Sequence, residues 1–586
     1  MPFLLRNIRL DLAAPLDDLP GAAARRLRLP VEAIRAYAIV RRSIDARDKD
    51  DVHYRYHLEI ALRDASASER RAMRRLRANE ATWIDPPRPA AVEAGTAPLL
   101  QRPIVVGFGP AGMFAALKLA ELGYRPLVIE RGREVRRRHR DVVQRYYRRH
   151  DFDPESNLLY GEGGAGTYSD GKLYTRISEP RVPEILQVFY QHGADPDILI
   201  DARPHVGSDR LPTICTRIRR HLESLGGEVR FGARLDDVEI VGGAVTSVTL
   251  SGERMAAGPV LLAVGHSARD TILMLARRRV RIEPKPFQIG VRIEHPQAMV
   301  DAWQFGGLAG HPGLGPAEYH LIAKGACQSG DLFTFCMCPG GQILPANESP
   351  GLIATNGASR ASRGGAFANA GLVITVDPAA LARSSGFPPV RASGAGLRPD
   401  SGGRLHPDGG AAAAVRQSDL DGLPEPAAVA LRALFYQKHW EEAAYVSTNG
   451  TYCVPAQRAS DFLAGRMSDG ACETSFPLGA RWRPIREVIP ASVAAALERG
   501  LPMLERRMPG FSGPAGVITA PETRASSPIR ITRDAVTRAS VSADNLYPVG
   551  EGAGFAGGII SAAVDGLKSA EAIVRKYAPP ARGAAS

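Results

Sequence analysis

The chain has 586 residues, 44% of them hydrophobic and 23% charged, with a formal net charge of +12. Its length exceeds one ordinary hydrophobic core, so we expect two or three domains, and its composition excludes a disordered or fibrous protein. No apolar run reaches the ~18–20 residues that cross a bilayer, no signal peptide is recognisable, and six cysteines are too few for a disulfide scaffold. We therefore expect a cytoplasmic protein that is not inserted in a membrane.

Residues 1–98 are predicted to form a separate α+β module. Residues 52–62 alternate apolar and polar side chains, which is typical of a half-buried strand. Two more strands and two helices are predicted in the module, at 3–12, 34–44, 19–28 and 66–78. A Pro- and Ala-rich linker is predicted at 86–98. We expect the module to pack on the rest of the protein or to mediate dimer contacts, and a binding role stays open.

Residues 104–130 carry the clearest motif: an apolar run, Gly-Phe-Gly-Pro-Ala-Gly, a helical stretch, and a second apolar run that ends on an acid. This order of strand, GxGxxG, helix, strand and acid is typical of a dinucleotide-binding βαβ unit. The glycines would permit a tight turn against a pyrophosphate, the helix N-terminus would stabilise its charge, and the acid would hold ribose hydroxyls. The residues predicted to contact the nucleotide here are Gly107, Gly109, Pro110, Ala111, Gly112, Glu130 and Arg131.

The positive charge is concentrated around and just after this motif. Residues 101–150 contain twelve Lys and Arg against four Asp and Glu, a net charge of +8, most of it in 131–150. A solvated helix near an anionic cofactor would explain this run. A docking face for RNA or another polyanion, or an anionic small substrate, would explain it too.

Three later segments distinguish a bound flavin from a soluble nicotinamide cofactor. The Gly-rich loop at 161–173 would bring backbone N–H groups close to phosphate or ribityl oxygens. The strand end at 263–266 resembles the short strand that passes beside the adenosine in flavoprotein disulfide-reductase-like folds. Residues 546–566 read as a strand, a Gly-rich turn with an acid, and a helix whose N-terminus would favour the negative charge of reduced flavin. The residues predicted to contact FAD in these segments are Gly163, Gly164, Ala165, Gly166, Thr167, Ser169, Gly171, Lys172, Gly265, Gly550, Glu551, Gly552, Gly557, Gly558 and Ile559.

Together the segments predict an α/β fold in which non-covalently bound FAD lies along a Rossmann-like domain built from 99–270 and 515–586. The region 271–514 between them is predicted to be a mixed α+β substrate or cap domain that covers the flavin ring. Within it, residues 384–415 are rich in Gly, Ser, Pro and Ala, and we interpret them as a mobile loop without regular secondary structure.

Several segments resemble one family: GEGGAGTYSDGKL (161–173), KPFQIGVRIEHPQ (285–297), FCMCPGG (335–341), APETRASSPIRI (520–531) and LYPVGEGAGFAGGIISAAVDG (546–566). Through them the chain resembles the uncharacterised FAD-dependent dehydrogenases, bacterial flavoproteins of the glutathione-reductase-like, two-dinucleotide-binding superfamily. The resemblance covers nearly the whole chain, except that 384–415 is longer and richer in Gly and Pro. It implies a glutathione-reductase-type FAD-binding domain, a discontinuous substrate domain and an FAD oxidoreductase whose physiological substrate is not established.

The electron donor is less constrained than the cofactor. FAD would supply the redox chemistry, and the protein would supply position and electrostatics. The Gly-rich loop lacks the CxxxxC pair of the disulfide reductases, so disulfide reduction by that route is not expected. No second GxGxxG follows a strand, so reduction by the substrate, by an external electron carrier or by transiently bound NAD(P)H stays open.

Few side chains qualify as catalytic. Cys336 and Cys338 would share one face of a strand, so core residues, an electron relay and a soft-metal pair are all open interpretations. Lys172 would stabilise reduced flavin or an anionic substrate, face solvent or pair with Asp170. Arg524 would clamp a substrate carboxylate or form an ordinary salt bridge. No ligand spacing elsewhere predicts a metal site.

The sequence thus predicts an FAD-dependent oxidoreductase that transfers a hydride between a small organic substrate and flavin N5, in either direction. Two alternatives stay open. The first is a flavin-dependent RNA-modifying enzyme, based on the charged run and the N-terminal module, although nucleic acid is not the expected partner. The second is a non-catalytic redox-sensing flavoprotein with Cys336 and Cys338 as its switch. The substrate and the oligomeric state are not specified by the sequence.

Overall fold

The computed structural model describes residues 2–63, 76–84, 92–175, 179–327, 330–383, 396–399, 405–408 and 420–580. The chain divides into two compact units. Unit 1 comprises Met1–Ala91, Lys172–Val206 and Gln297–Tyr319, and unit 2 comprises Val92–Gly171, Gly207–Pro296 and His320–Ser586. These boundaries differ from those of the predicted N-terminal module, two-part FAD-binding domain and substrate domain, and that division remains a prediction.

The strands and helices are numbered in chain order. The strands are β1 (Phe3–Asp11), β2 (Ile34–Asp45), β3 (His53–Leu62), β4 (Ala81–Trp83), β5 (Ile104–Val106), β6 (Leu127–Glu130), β7 (Glu228–Phe231), β8 (Leu235–Val241), β9 (Ala244–Leu250), β10 (Glu253–Ala256), β11 (Val260–Leu262), β12 (Ile282–Pro284), β13 (Phe287–Pro296), β14 (Ile322–Cys327), β15 (Gly330–Pro345), β16 (Thr355–Ser359), β17 (Phe367–Val376), β18 (Gly396–Pro399), β19 (Leu405–Asp408), β20 (Val454–Arg458), β21 (Ala480–Trp482), β22 (Val517–Glu522), β23 (Ile529–Ile531) and β24 (Leu546–Pro548). The helices are α1 (Leu19–Leu27), α2 (Pro110–Glu121), α3 (Val135–His139), α4 (Val182–Gln191), α5 (Leu211–Ser224), α6 (Arg269–Arg277), α7 (Gln297–Phe305), α8 (Pro378–Arg383), α9 (Glu425–Ser447), α10 (Ala459–Leu463), α11 (Ala491–Glu505) and α12 (Ile559–Lys576). Among the residues described, no helix is both long enough and apolar enough to cross a membrane.

Unit 1 is built on an antiparallel four-stranded sheet in the order β2-β3-β1-β4. One face of the sheet packs against α1, because alternate side chains of β1 and β3, such as Leu5 and Leu58, share a core with Leu19 and Leu27 of the helix. The strands predicted at 3–12, 34–44 and 52–62 and the helix predicted at 19–28 are confirmed within one or two residues. The predictions for 66–78 and 86–98 lie largely outside the described residues.

The first sheet of unit 2 is parallel, in the order β24-β11-β5-β6-β7. Its central strands β5, β6 and β11 are buried along their whole length, which is typical of a parallel sheet covered on both faces. From β5 the chain passes through α2 to β6 on one side, and β11 lies on the other side of β5. The strand order therefore reverses at β5, and in such sheets ligands bind at the carboxyl ends of the strands beside the reversal.

The second large sheet of unit 2 has the order β14-β15-β17-β13-β22-β20-β21, with β16 paired to β15. Smaller sheets are formed by β10-β9-β8 and by β12-β23. The loop predicted at 384–415 lies mostly outside the described residues, but β18 and β19 within it pair antiparallel. The prediction that this stretch has no regular secondary structure was therefore wrong at these two strands. The α/β class is confirmed, and its assignment to the glutathione-reductase type remains a prediction.

A buried ion pair connects three strands of the second large sheet. Arg292 of β13 donates from Nε and Nη2 to the two carboxylate oxygens of Glu522 on β22, at 2.9 and 3.0 Å. Its Nη1 donates to Oδ1 of Asn369 on β17 at 2.7 Å. The two charged side chains are 0% and 2% exposed. Among the described residues neither side chain forms another ion pair, so loss of either charge should destabilise the sheet.

Replacing Arg292 by Leu should leave the Glu522 carboxylate buried without its cation, at a cost of about 3–5 kcal/mol in the free energy of unfolding. The double variant R292L/E522L removes both charges and should recover much of that loss. Chemical denaturation of the wild type, the single variant and the double variant measures the difference. An equal loss in the single and the double variant would contradict the buried pair as the cause.

Candidate functional site

The first glycine turn joins β5 to α2 at the carboxyl edge of the parallel sheet. Gly107 has a φ of +97°, which disfavours any side chain, and a Cβ there would overlap the carbonyl oxygen of Ala263 just after β11. A Cβ on Gly112 would overlap the carbonyl oxygen of Gly107, so the helix lies directly on the turn. Because α2 begins at Pro110 without a side-chain cap, its first backbone N–H groups are available to a ligand.

Glu130 ends β6 and connects three loops. Its Oε2 accepts a hydrogen bond from the N–H of Phe108 at 2.9 Å, and its Oε1 accepts from the N–H groups of Gly132 at 2.8 Å and Gly161 at 2.9 Å. A carboxylate offers about four lone-pair positions, so roughly one remains for a ribose hydroxyl. The acid therefore organises the first and second glycine loops, a role that the sequence analysis did not predict.

The second glycine loop packs directly on the first. A Cβ on Gly164 would come within 2.9 Å of the Cα of Gly109. A Cβ on Gly166 would contact the ring of Pro110 at 3.2 Å and the side chain of Ile559, the first residue of α12, at 3.8 Å. Three segments that the sequence analysis treated separately therefore meet at one place.

Polar side chains of the second loop donate hydrogen bonds to carbonyl oxygens of the same loop. Thr167 donates from Oγ1 to the carbonyl oxygen of Glu162 at 2.6 Å, and Ser169 donates from Oγ to a carbonyl within the loop at 2.7 Å. Arg138, from the basic run, is fully buried and donates to the carbonyl oxygens of Asn157 at 2.7 Å and Glu162 at 2.8 Å. One arginine of that run is thus a support of the glycine loop and not part of a solvated face.

The third glycine segment follows β24 and returns to the same edge. The N–H of Gly550 donates to Oδ2 of Asp565 on α12 at 2.8 Å. Arg533 and Arg538 form ion pairs with the same carboxylate. Asp565 therefore fixes the turn to the helix, and its importance could not be found from the sequence because its two arginines come from a separate segment.

At four glycines of this edge, an added side chain would point into open space. No described heavy atom lies within 4 Å of a Cβ built on Gly265 or Gly557, and the nearest one lies at 3.8 Å for Gly109 and 4.0 Å for Gly558. By contrast, a Cβ on Gly552 would overlap the carbonyl oxygen of Gly265. Some glycines of the motifs thus permit backbone packing, and others line a space that side chains do not fill.

A carboxyl group and an amine lie beside the third segment. Burial raises the pKa of Glu551 to about 8, and the charge of Lys285 opposes this shift. Lys285 donates from Nζ to the carbonyl oxygen of Ser527 at 3.1 Å, and burial lowers its pKa. At neutral pH the Glu551 carboxyl therefore carries a proton and can donate a hydrogen bond.

Arg524 belongs to a buried network of four charges. It donates to Oε2 of Glu441 at 2.6 Å and to Oγ of Ser267 at 2.8 Å, and it also forms an ion pair with Glu348. Burial would raise the pKa of Glu441, but the guanidinium groups of Arg269 and Arg524 overcome this effect and hold it at about 2. Of the two interpretations given for Arg524, the structure therefore shows the salt bridge.

Arg131 forms its own ion pairs instead of leaving its donors open. It donates from Nε to Glu155 at 2.7 Å and from Nη1 to Asp270 at 3.0 Å, and it lies over the ring of Tyr160. A contact between its side chain and a nucleotide would have to share these donors, and that contact remains a prediction.

Cys336 and Cys338 do not follow regular strand alternation. The pairing of β15 with β17 shifts between Phe335 and Cys338, and Cys336 has a φ of +45°, so the strand bulges here. The prediction that the two thiols share a face rested on an unbroken strand and fails for this reason. Neither thiol forms a disulfide.

Lys172 directly follows the second glycine loop in the chain. It begins the stretch of unit 1 that ends at Val206, and it forms an isolated β-bridge with His205. The contact with FAD predicted for Lys172 remains a prediction, as do the contacts predicted for Gly163, Ala165 and Gly171. Among the described part of the chain, no group of three or more His, Cys, Asp or Glu side chains is arranged to hold a metal ion.

Comparison with known proteins identifies the family. Residues 286–391 and 410–525 match the family model described as "FAD-dependent protein, C-terminal domain-like", and residues 4–61 match a "Domain of unknown function (DUF8436)". A protein of Clostridium beijerinckii, described as uncharacterised, is 35% identical over 582 residues, which cover 99% of this chain and 100% of the relative. The chain belongs to the same family as this relative, and the match over residues 286–391 and 410–525 supports FAD as the cofactor.

Solved structures resemble the chain only distantly. Glycine oxidase from Bacillus cereus has a TM-score of 0.25 and 11% identity, covering 47% of this chain and 71% of that one. L-Proline dehydrogenase from P. horikoshii has a TM-score of 0.23 and 13% identity, covering 34% and 62%. The chain covers only 35% of thioredoxin reductase from Lactococcus lactis, at a TM-score of 0.15 and 16% identity.

The residues at the carboxyl edge of the parallel sheet fit FAD, the cofactor that the matched family model names. The open glycines Gly109, Gly265, Gly557 and Gly558 leave room that a bound molecule can fill. The uncapped N-termini of α2 and α12 present backbone N–H groups, which suit an anionic pyrophosphate and an electron-rich ring edge. The segments that would hold FAD are thus the first turn, the second loop and the third segment.

The raised pKa of Glu551 predicts a specific dependence of stability on pH. The folded chain keeps this proton up to about pH 8, whereas the unfolded chain loses it near the ordinary value of 4.5. Between these values the unfolded chain binds fewer protons, so the free energy of unfolding falls as the pH rises. Glu551→Gln should therefore gain stability over wild type, and the gain should grow from about pH 4.5 to about pH 8 and then level off.

Thermal unfolding of the cofactor-free chain across this pH range measures that difference. Glu253→Gln, a substitution of an exposed glutamate on β10, is the matched control and should show no such trend. A constant difference between Glu551→Gln and wild type at every pH would contradict the buried, protonated carboxyl.

Proposed function

We propose that this protein is an FAD-dependent oxidoreductase that oxidises or reduces a small organic substrate by hydride transfer. Bound FAD would supply the redox chemistry, with hydride passing to or from its N5 atom. The match to the FAD-dependent family model supports the cofactor, and the proposal adds the reaction type. The substrate region is proposed to lie in 271–514, between the two parts of the FAD-binding region.

One observation carries the proposal: three glycine segments, more than 400 residues apart at their extremes, meet beside the carboxyl ends of β5, β11 and β24. Gly164 contacts Gly109, and Gly166 lies between Pro110 and Ile559. A nucleotide alone would be bound by the first turn, as in dinucleotide-binding βαβ units. The additional approach of α12 supports a longer ligand, with an adenosine end near Glu130 and a ring end near α12.

The residues of the chain would bind and polarise the cofactor. The N-terminus of α12 would stabilise negative charge that develops on the pyrimidine edge of the ring, because its backbone N–H groups point outward there. The protonated Glu551 would donate a hydrogen bond from its carboxyl oxygen, and Lys285 would add positive charge beside it. Both groups favour the reduced, more negative state of the ring.

Binding of FAD can be separated from folding by substituting the open glycines. Gly557→Val adds a side chain at a position whose Cβ has no described heavy atom within 4 Å, so the chain should fold with nearly unchanged stability. The same methyl groups should exclude the cofactor and reduce the FAD content of the purified protein at least tenfold. The FAD released on denaturation, measured by fluorescence, and the melting temperature of the apoprotein are the two readouts.

Gly315→Val is the matched control, because this glycine also has open space around its Cβ position and does not belong to any of the three glycine segments. It should keep the wild-type content of FAD. Wild-type FAD content in Gly557→Val would contradict the proposed position of the cofactor.

The reaction type is tested by anaerobic titration of the FAD-loaded protein. NADH, NADPH and a panel of organic reductants such as amino acids and hydroxy acids are added while the flavin spectrum is recorded. Bleaching by at least one of these donors, followed by recovery on adding an electron acceptor, is expected for an oxidoreductase. A flavin that no donor bleaches, although dithionite does, would contradict enzymatic hydride transfer and favour a binding role.

A further inference from the structure

Residues 135–149 form a basic helical segment of unit 2 that has one buried and one exposed face. The segment consists of α3 and a π-helix that follows it directly, Arg140–Tyr147. The side chains at 138, 141, 142 and 146 are buried, whereas those at 136, 137, 139, 140, 144, 148 and 149 are exposed. Buried positions recur about once per helical turn, so the segment has an inner face, which supports the second glycine loop through Arg138, and an outer face.

Two arginines that flank the inner face are neutralised by acids. Arg145 forms ion pairs with the carboxylates of Asp141, Asp151 and Asp153. Arg133, just before α3, forms ion pairs with Asp141 and Asp153 as well. The positive charge on this side of the segment is therefore balanced within the fold.

The arginines of the outer face lack such partners. Arg136, Arg140 and Arg148 are exposed, and within the described part of the chain none of the three forms an ion pair. Arg137 beside them has one carboxylate, that of Glu134, at 3.6 Å. Arg136 and Arg140 are four residues apart, and like charges at this spacing repel each other on a helix. The outer face thus carries positive charge that the folded chain does not compensate.

The composition of the segment distinguishes between classes of anionic partner. Residues 131–150 contain nine arginines, two histidines and no lysine, and the planar guanidinium group binds two phosphate oxygens at once. Among the residues that the structure describes, no large hydrophobic side chain of 131–150 is exposed. A docking site for an acidic protein typically has apolar residues at its centre, and a helix that binds a membrane surface has an apolar face. A phosphodiester backbone requires neither, because it is bound through charge and hydrogen bonds.

We propose that the outer face of residues 135–149 binds the phosphodiester backbone of a nucleic acid, RNA or DNA. Arg136, Arg140 and Arg148 would each contact a phosphate, and the amide of Gln144 between them would bond to a sugar or a base. The three arginines extend over at most about 18 Å at the α-helical rise of about 1.5 Å per residue, so one strand can pass all of them. The site does not rest on the proposed redox function. The sequence alone did not favour a nucleic acid, because it does not separate these arginines from the neutralised ones.

The site is tested by fluorescence anisotropy of the full, FAD-loaded chain with a labelled single-stranded RNA of about 20 nucleotides and, separately, with DNA of the same sequence. Saturable binding at low salt is expected for at least one of the two, and their relative affinities decide between RNA and DNA. Because each phosphate contact releases counterions, the logarithm of the affinity should fall linearly with the logarithm of the salt concentration. Three contacts to a single strand predict a slope of about −2.

The double variant Arg140→Gln/Arg148→Gln should weaken this binding at least tenfold at low salt and make the salt slope shallower by about 1.4. Both side chains are exposed and form no ion pair in the described residues, so the variant should fold and keep its FAD, which its flavin spectrum verifies. Arg506→Gln/Arg507→Gln is the matched control. It removes the same charge from two exposed arginines at the end of α11 and should leave the affinity and the slope unchanged.

Competition separates a nucleic acid from an acidic protein. Unlabelled polyuridylate should displace the labelled strand at least tenfold more effectively than polyglutamate at the same concentration of charge. Equally effective displacement by polyglutamate would point to an acidic protein as the partner and overturn the proposal. An equal loss of affinity in the variant and in its control, or no salt-dependent binding of either labelled strand, would overturn it as well.

Discussion

Contact between backbones at the carboxyl edge of the parallel sheet is the constraint on which the rest of unit 2 depends. The turn at Gly107 lies against the strand end at Ala263, α2 lies on that turn through Gly112, and Gly552 lies against Gly265. A side chain at Gly107, Gly112 or Gly552 would overlap the backbone that it faces. The edge can therefore bring together three distant segments, and a ligand that reaches it meets N–H groups and carbonyls first.

Buried charges hold this edge in place. Glu130 binds three backbone N–H groups, Asp565 fixes the third segment to α12, and Arg138 supports the second loop through carbonyl oxygens. A buried charge is tolerated only when hydrogen bonds or opposite charges compensate its desolvation, so each of these residues depends on its partners being correctly placed. The role of these carboxylates and guanidinium groups is thus to hold the loops of the site in place, more than to take part in its chemistry.

The sequence predicted the parts of this arrangement that are local. A tight turn, an uncapped helix and a following acid occur within about 25 residues, and the spacing of Gly107, Gly112 and Glu130 reflects contacts between near neighbours. Asp565, Glu441 and Lys285 were missed because their charged partners come from separate segments of the chain, at least 27 residues away. The position of Cys336 was missed for a different reason. One extra residue in a strand reverses the alternation of side chains between the two faces of the sheet, and the sequence pattern does not show it.

The central claim is that one extended FAD lies across all three glycine segments. Its most direct test is a crystal structure of the protein purified with FAD, examined by difference electron density calculated without the cofactor. The account predicts continuous density from the ribose beside Glu130, past Gly109 and Gly164, to a ring at the N-terminus of α12. Density confined elsewhere, or α12 placed away from the first glycine turn in that crystal, would contradict it.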